Sequence, residues 1–222
     1  MTLKVKFILC ADARTGCHML QTALNKHPQV DCFGEILNPK SRDTFVNRWN
    51  SIESINKAFA SEKKCSGFII HRSVKYPWSV LAKLAGDKNI KVIFIHRRDQ
   101  MLRYASLLNA RKSKKWIDTT GTDTRKEKIT FNPSDFDKEV TRYNRFIKYY
   151  YEHFYGHNAM QVDYEDMTRD FQKEIQKVSA FLGIRYKVLK PSTHRQEKRS
   201  IEEIFTNFEI ITYDHRKTHI LG

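Results

Sequence analysis

The chain has 222 residues, of which 40% are hydrophobic, and this length and composition suit one compact domain spanning residues 1–222. Its formal net charge of +15 calls for an anionic partner, which is a nucleic acid, a membrane surface or a polyanionic small ligand. No apolar run is long enough to cross a bilayer, and lysines interrupt the first apolar run, so we expect no signal peptide and a cytoplasmic location. The four cysteines form no CxxC pair, which favours reduced thiols over a zinc site or disulfides.

The first half of the chain alternates apolar, strand-like runs with helix-like spacing of apolar residues. The predicted elements are a strand over 4–11, a helix over 17–26, a strand over 29–33, a helix over 41–62, a strand over 67–71 and a helix over 77–85. Continuous apolar strands separated by helices indicate a parallel sheet that is covered on both faces.

The second half continues this alternation. The predicted elements are a strand over 90–96, a helix capped by Asp99, a helix over 134–155 opened by a capping box at Ser134, a strand over 159–163 and a helix over 166–182. Residues 117–133 are polar and aperiodic, which predicts a mobile loop. The fold class is therefore α/β, a three-layer P-loop-like fold with a central parallel sheet of about five strands flanked by helices, and ligands are expected outside the carboxyl ends of the strands.

The segment from Asp12 to His18 lies between the first predicted strand and the first predicted helix. Such a turn gathers backbone N–H groups and a positive helix end, which together favour an anion. The segment lacks the first glycine and the lysine of GxxxxGK[ST], so ordinary ATP or GTP hydrolysis is disfavoured, and Arg14 would supply the charge instead. A plain strand-to-helix turn with Thr15 as a cap is an equally good interpretation of these residues alone.

Two motifs here resemble a known family. Residues 13–20, ARTGCHML, resemble the PRSGSTLL or PRTGTHYL phosphosulfate loop of sulfotransferases that use 3′-phosphoadenosine 5′-phosphosulfate (PAPS). Residues 25–30 and 32–38, NKHPQV and CFGEILN, resemble the continuation in carbohydrate sulfotransferases of the nodulation-factor type. The resemblance implies that the loop binds the donor, through Arg14, Thr15, Gly16, Cys17, His18 and Met19.

The loop departs from the family pattern at two positions. Ala13 replaces the usual proline, and Cys17 replaces a hydroxyl that often contacts the phosphate. Because Cys17 lies at a helix N-terminus, we expect the pKa of its thiol to be lowered.

Three later segments also resemble the donor site of the family. Arg98, at the end of a strand, and Ser106, eight residues on, match the pair that grips the 3′-phosphate, and Tyr164 in the YEDM segment matches the tyrosine near adenine. Arg195, Gln196 and Arg199 match a segment near the end of the carbohydrate enzymes, which predicts a donor-covering segment at 190–200 in which Ser200 departs from proline. Taken singly, Arg98 could be an exposed arginine and Tyr164 a core residue.

The resemblance implies in-line transfer of a sulfonate from PAPS to a carbohydrate or glycolipid hydroxyl, with adenosine 3′,5′-bisphosphate (PAP) as product and no metal. Arg14 would stabilise the leaving phosphate. Glu35 is the first choice for the base and His71 the second, while Arg72 and Lys75 are alternative contacts of the sulfonate. A carboxylate is a weak base, so burial would have to raise the pKa of Glu35.

Three other functions compete with this one. A P-loop-type nucleotide or small-molecule kinase would share the anion site, but the sequence lacks the lysine and the magnesium carboxylate of that class. A basic nucleic-acid-binding protein would use the charge of +15, but no binding motif accompanies it and we expect no nucleic acid partner. A protein that binds the donor without catalysis is the third.

Overall fold

A parallel sheet forms the centre of the protein. The computed structural model describes residues 4–38, 52–71, 76–118, 121, 127–193, 197 and 199–216. The strands within these ranges are β1 Val5–Ala11, β2 Val30–Phe33, β3 Cys65–His71, β4 Ile90–His96 and β5 Ala159–Asp163. Their order is β2-β3-β1-β4-β5, and every neighbouring pair is parallel, which confirms the predicted sheet.

The strand order creates a switch point at β1. The chain places β2 and β3 on one side of β1 and then crosses to β4 on the other side. Ala11, the last residue of β1, pairs with His71 of β3 and Ile95 of β4. Connections therefore diverge at the carboxyl end of β1, where ligands bind in open sheets of this kind.

Helices cover both faces of the sheet. They are α1 Cys17–Leu24, α2 Ile52–Phe59, α3 Trp78–Gly86, α4 Gln100–Ser113, α5 Pro133–His153, α6 Tyr164–Arg169, α7 Phe171–Leu182, α8 Ile201–Ile204 and α9 Tyr213–Arg216, with a 3₁₀ turn at Phe208–Ile210. Alternate residues of β1 point to opposite faces. Leu9 packs in one apolar core with α1 and α7, while Ile8 packs in the other with α2, α3 and α5.

Two differences from the predicted helices have a clear physical cause. The helix predicted to open with a capping box at Ser134 begins at Pro133 instead, because the side chain of Asn132 accepts the N–H of Asp135. The helix predicted over 166–182 is two helices, since Asp170 leaves the helical conformation and its carboxylate caps α7 by accepting the N–H of Lys173.

Parts of two predicted segments lie outside the described residues. Of the helix predicted over 41–62, the structure describes α2, and residues 39–51 fall outside. Of the predicted loop 117–133, residues 119–120 and 122–126 fall outside, and its described end is anchored: Ile129 bridges to Phe205, and Phe131 is buried.

The four cysteines are free and buried. Among the described residues, no helix combines the length and the apolar composition needed to span a membrane.

Candidate active site

Parallel strands bring the ends of five segments to one edge of the sheet. The loop after β1, Glu35 after β2, His71 at the end of β3, Arg97 after β4 and Tyr164 after β5 all lie at this carboxyl edge. The sequence predictions for the donor loop and for the base therefore converge on one region of the molecule.

Internal hydrogen bonds fix the loop between β1 and α1. The hydroxyl of Thr15 donates to the carbonyl of Asp12 (2.8 Å), and the carboxylate of Asp12 accepts the N–H of Ala13 (2.6 Å). Thr15 is fully buried, so in this conformation its hydroxyl holds the turn. Gly16 has φ +88°, and a Cβ there would lie 2.7 Å from the ring of Tyr164. Backbone conformation and space both require glycine at this position.

A buried charge network supports the loop from beneath. The guanidinium of Arg103 lies 3.2 Å from the carboxylate of Asp12 and 3.3 Å from that of Glu139, and it covers the ring of Tyr143 at 4.2 Å. Arg103 is fully buried, and both of its carboxylate partners are buried as well. Because an unpaired buried charge is strongly unfavourable, this network constrains the position of the loop.

Two arginines meet beside the loop. Arg14 donates from Nε to the hydroxyl of Ser106 (2.9 Å). Arg97 is 4% exposed, donates from Nη1 to the carbonyl of Arg14 (3.2 Å), and its guanidinium lies 4.4 Å from the centre of the Tyr164 ring. Burial and the charge of Arg97 lower the pKa of Arg14 to about 10. Two close, largely desolvated guanidinium groups make a strong site for an anion.

These residues line an open pocket of about 460 Å³. It is lined by Arg14, Gly16, Cys17, His18, Met19, Arg97, Ser106, Trp116, Ile117, Asp118, Tyr164, Met167, Thr168, Phe171, Pro191, Thr193 and Glu197. The volume and the mixture of aromatic, apolar and cationic groups suit a nucleotide.

Arg98 is not brought into this pocket. Its guanidinium pairs with the carboxylates of Asp163 (2.9 Å) and Asp166 (3.0 Å) on the outer side of the turn. The carboxylate of Glu165 accepts the N–H groups of Arg98 (3.0 Å) and Asp99 (3.1 Å). The turn after β4 therefore places Arg97 inward and Arg98 outward.

Arg97 and Trp116 are the main pocket residues that the sequence reasoning missed. The eight-residue spacing to Ser106 directed attention to Arg98, although Arg97 precedes it in the same motif. Trp116 directly follows the basic stretch after α4, and its carbonyl accepts Nη1 of Arg14. An isolated tryptophan in a polar stretch is the signal that could have identified it.

The predicted donor-covering segment is described in part. Arg195 and Gln196 lie outside the described residues, as do Arg72 and Lys75. Arg199 is described, and its Nε donates to Glu197 (3.0 Å), which lines the pocket. Arg199 therefore contacts a carboxylate of the pocket lining but does not line the pocket itself.

Glu35 lies in a cluster of titratable side chains beside the pocket. One carboxylate oxygen is 3.3 Å from Nε2 of His18, and the other accepts the side-chain N–H of Asn38. Burial acts to raise the pKa of Glu35, but the hydrogen bonds from His18 and Asn38 and the charge of His71 outweigh it and lower the pKa to about 2. The raised pKa that the sequence required of a Glu35 base is therefore not found.

The expectation for Cys17 was wrong. Burial, with the nearby charge of Glu35, raises the pKa of its thiol to about 12, and the opposing effects of the His18 N–H and Arg14 are smaller. Desolvation thus outweighs the helix N-terminus.

Comparison with known proteins identifies the family. Residues 4–217 match the family that is described as "Sulfotransferase domain". The chain belongs to the sulfotransferase family. It is 24% identical over 224 residues to nodulation protein H of Rhizobium meliloti (strain 1021), covering 91% of this chain and 87% of that protein. Nodulation protein H of Rhizobium tropici is 23% identical, covering 91% and 86%.

Solved structures show the same fold. A sulfotransferase from Alicyclobacillus acidocaldarius superimposes with a TM-score of 0.58 at 15% identity, covering 87% of each chain. Mouse sulfotransferase SULT7A1, complexed with PAP, gives a TM-score of 0.54 at 17% identity, covering 83% of this chain and 61% of that one.

Family membership identifies the chain as a transferase of the sulfotransferase type rather than a kinase. In the part of the chain that the structure describes, no three His, Cys, Asp or Glu side chains are grouped to hold a metal ion.

Proposed function

We propose that this sulfotransferase moves a sulfonate group from PAPS to a hydroxyl of a carbohydrate or glycolipid, releasing PAP. The observation that carries the proposal is the pair of close guanidinium groups, Arg14 and Arg97, in a nucleotide-sized pocket at the switch point of the sheet. PAPS has phosphate charge at both its 3′ and 5′ positions, so two cationic contacts suit it better than they suit AMP.

The pocket suggests a place for each part of the donor. Arg14 and the N–H groups at the start of α1 suit the phosphosulfate, with Gly16, Cys17 and His18 supplying the backbone. Arg97 and Ser106 suit the 3′-phosphate. We assign this role to Arg97 rather than Arg98, because Arg98 would first have to leave its two carboxylate partners. Tyr164, beside Gly16, is the proposed neighbour of adenine.

The transfer requires positioning and charge stabilisation. The acceptor oxygen forms a bond to sulfur while the bond from sulfur to the phosphate oxygen breaks, leaving the electron pair on the phosphate of PAP. Arg14 would stabilise that charge, and the acceptor proton would pass to the side chains around Glu35. The proposal assigns the positive charge to arginines and includes no metal.

The acceptor class rests on the segment after β2. Residues 34–38, GEILN, carry the resemblance to carbohydrate sulfotransferases of the nodulation-factor type, and the relatives named nodulation protein H cover most of the chain. We also propose a cytoplasmic location, which is supported by the four buried free thiols.

Thermal denaturation with PAP and with AMP tests the donor assignment, and turnover of PAPS with chitin oligosaccharides tests the acceptor class. We expect PAP to stabilise the protein more than AMP at equal concentration, since only PAP has the 3′-phosphate. Equal stabilisation by the two nucleotides would contradict the donor assignment. Turnover with simple phenols but not with sugars would contradict the acceptor class alone.

A further inference from the structure

His18 and Glu35 form an imidazole–carboxylate pair beside the pocket. Nε2 of His18 lies 3.3 Å from Oε1 of Glu35, and the two side chains are 28% and 15% exposed. His18 stands in the first turn of α1 and lines the pocket, whereas Glu35 is absent from the pocket lining. The imidazole is thus the member of the pair that a bound substrate meets.

The carboxylate is held so that it can orient the imidazole. The side chain of Asn38 donates to its second oxygen, which leaves the first oxygen facing His18. When Nε2–H donates to Glu35, Nδ1 is the ring nitrogen with a lone pair. Among the described residues, Nδ1 has no hydrogen-bond partner. A carboxylate that fixes the tautomer of an imidazole, with the other ring nitrogen able to accept a proton, is an arrangement that suits general-base catalysis.

We propose that His18 is the catalytic base of the sulfonate transfer and that Glu35 is a positioning residue that fixes the tautomer of His18. This inference rests on the proposed function and deepens it. The acceptor hydroxyl gives its proton to Nδ1 of His18, its oxygen bonds to sulfur, and the electron pair of the broken sulfur–oxygen bond stays on PAP. The proton then leaves to solvent from the partly exposed imidazole.

The low basicity of Glu35 supports this division of roles. With a pKa lowered to about 2, its carboxylate has little affinity for a proton, which leaves the proton transfer to the imidazole. The other titratable or charged groups around the pair are His71 from β3, Tyr76 after β3, Asp12 and Arg14 from the loop and Cys17 from α1. His71 is more buried than His18 and, unlike His18, does not line the pocket.

The test compares His18→Ala, His18→Gln and Glu35→Gln. Conversion of PAPS to PAP is measured with chitotetraose as acceptor and, separately, with water as the only acceptor. Whichever reaction is faster in the wild-type protein is then compared among the variants. We expect both His18 variants to lose roughly 100-fold in kcat while binding PAP within about threefold of wild type. His18→Gln keeps a hydrogen bond to Glu35 without a basic nitrogen, so it serves where the alanine variant folds poorly.

Glu35→Gln separates positioning from proton transfer. We expect a smaller loss of kcat, together with a shift of the acid limb of the pH–rate profile to lower pH, because the imidazolium loses its anionic partner. Added imidazole should raise the rate of His18→Ala. It should leave the matched variant His153→Ala unchanged, since His153 lies on α5 away from the pocket.

The inference is overturned if the His18 variants keep kcat within about threefold of wild type, or if they lose PAP binding as strongly as kcat. It is also overturned if Glu35→Gln loses more activity than His18→Ala and the acid limb does not move. Wild-type protein that neither binds PAP nor consumes PAPS would refute the proposed function itself, which distinguishes the two failures.

Discussion

Replacing Arg97 by methionine should remove most of the affinity for PAP. The change deletes one of the two guanidinium groups that face the pocket while keeping a side chain of similar length. A hydrogen bond to a charged group contributes about 1.5–3 kcal/mol, which corresponds to a roughly 10- to 150-fold weaker Kd. The charge of Arg97 helps lower the pKa of Arg14, which means that the two positive charges repel each other in the unliganded protein. Loss of the Arg97 charge should therefore cost the unliganded variant little stability.

Thermal denaturation converts this affinity into a measurable shift. At a PAP concentration of 100 times the wild-type Kd, binding stabilises the folded state by about 2.7 kcal/mol, or roughly 5–11 °C in Tm for a chain of this size. A hundredfold weaker Kd leaves about 0.4 kcal/mol, or roughly 1–2 °C.

Arg98→Met is the matched control, since it removes the same group one residue away. Arg98 pairs outside the pocket with two carboxylates, so this variant should keep the full PAP shift. The reasoning is refuted if Arg98→Met abolishes the shift while Arg97→Met retains it.

Three further outcomes follow from the site. Gly16→Ala should lower stability by about 1–3 kcal/mol and weaken PAP binding, as measured by urea denaturation and titration, because φ is +88° and the new Cβ would meet Tyr164 at 2.7 Å. Glu35 has a folded pKa of about 2 against an ordinary 4.5, so it contributes about 3 kcal/mol above pH 4.5 that is lost towards pH 2. The stability difference between wild type and Glu35→Gln, followed by urea denaturation from pH 7 down to pH 3, should shrink accordingly. Cys17, with a pKa raised from 9.0 to about 12, should have a roughly thousandfold smaller thiolate fraction at pH 8, so mass spectrometry should find it unalkylated by iodoacetamide in the folded protein.

The sheet could be predicted because buried parallel strands have a simple signal. The continuous apolar run Ile90–His96 was predicted with the bounds that β4 has, and the predicted end of β1 at Ala11 is the observed one. The first residues of helices were harder to predict. The choice between Asn132 and Ser134 as the cap of α5 depends on which residue has an extended backbone, which composition does not specify.

The side chains of the site were harder to predict because distant residues decide their direction and protonation. The pKa of Glu35 depends on His18, which lies 17 residues earlier in the chain, and on His71 from β3. Spacing placed Glu35 at the correct edge of the sheet. It could not show that an imidazole would stand between the carboxylate and the pocket.

The contrast between Arg97 and Arg98 has one physical cause, at the end of β5 and the start of α6. Asp163 and Asp166 attract the guanidinium of Arg98 outward, and Glu165 fixes the backbone N–H groups of Arg98 and Asp99. With that turn fixed, Arg97 has to face inward, where its charge opposes that of Arg14. A ligand with phosphate charge at two positions relieves this repulsion more completely than a ligand with one. The three acidic side chains Asp163, Glu165 and Asp166 do not line the pocket. Through the position of Arg97 they would nevertheless set the preference of the pocket for PAP over AMP.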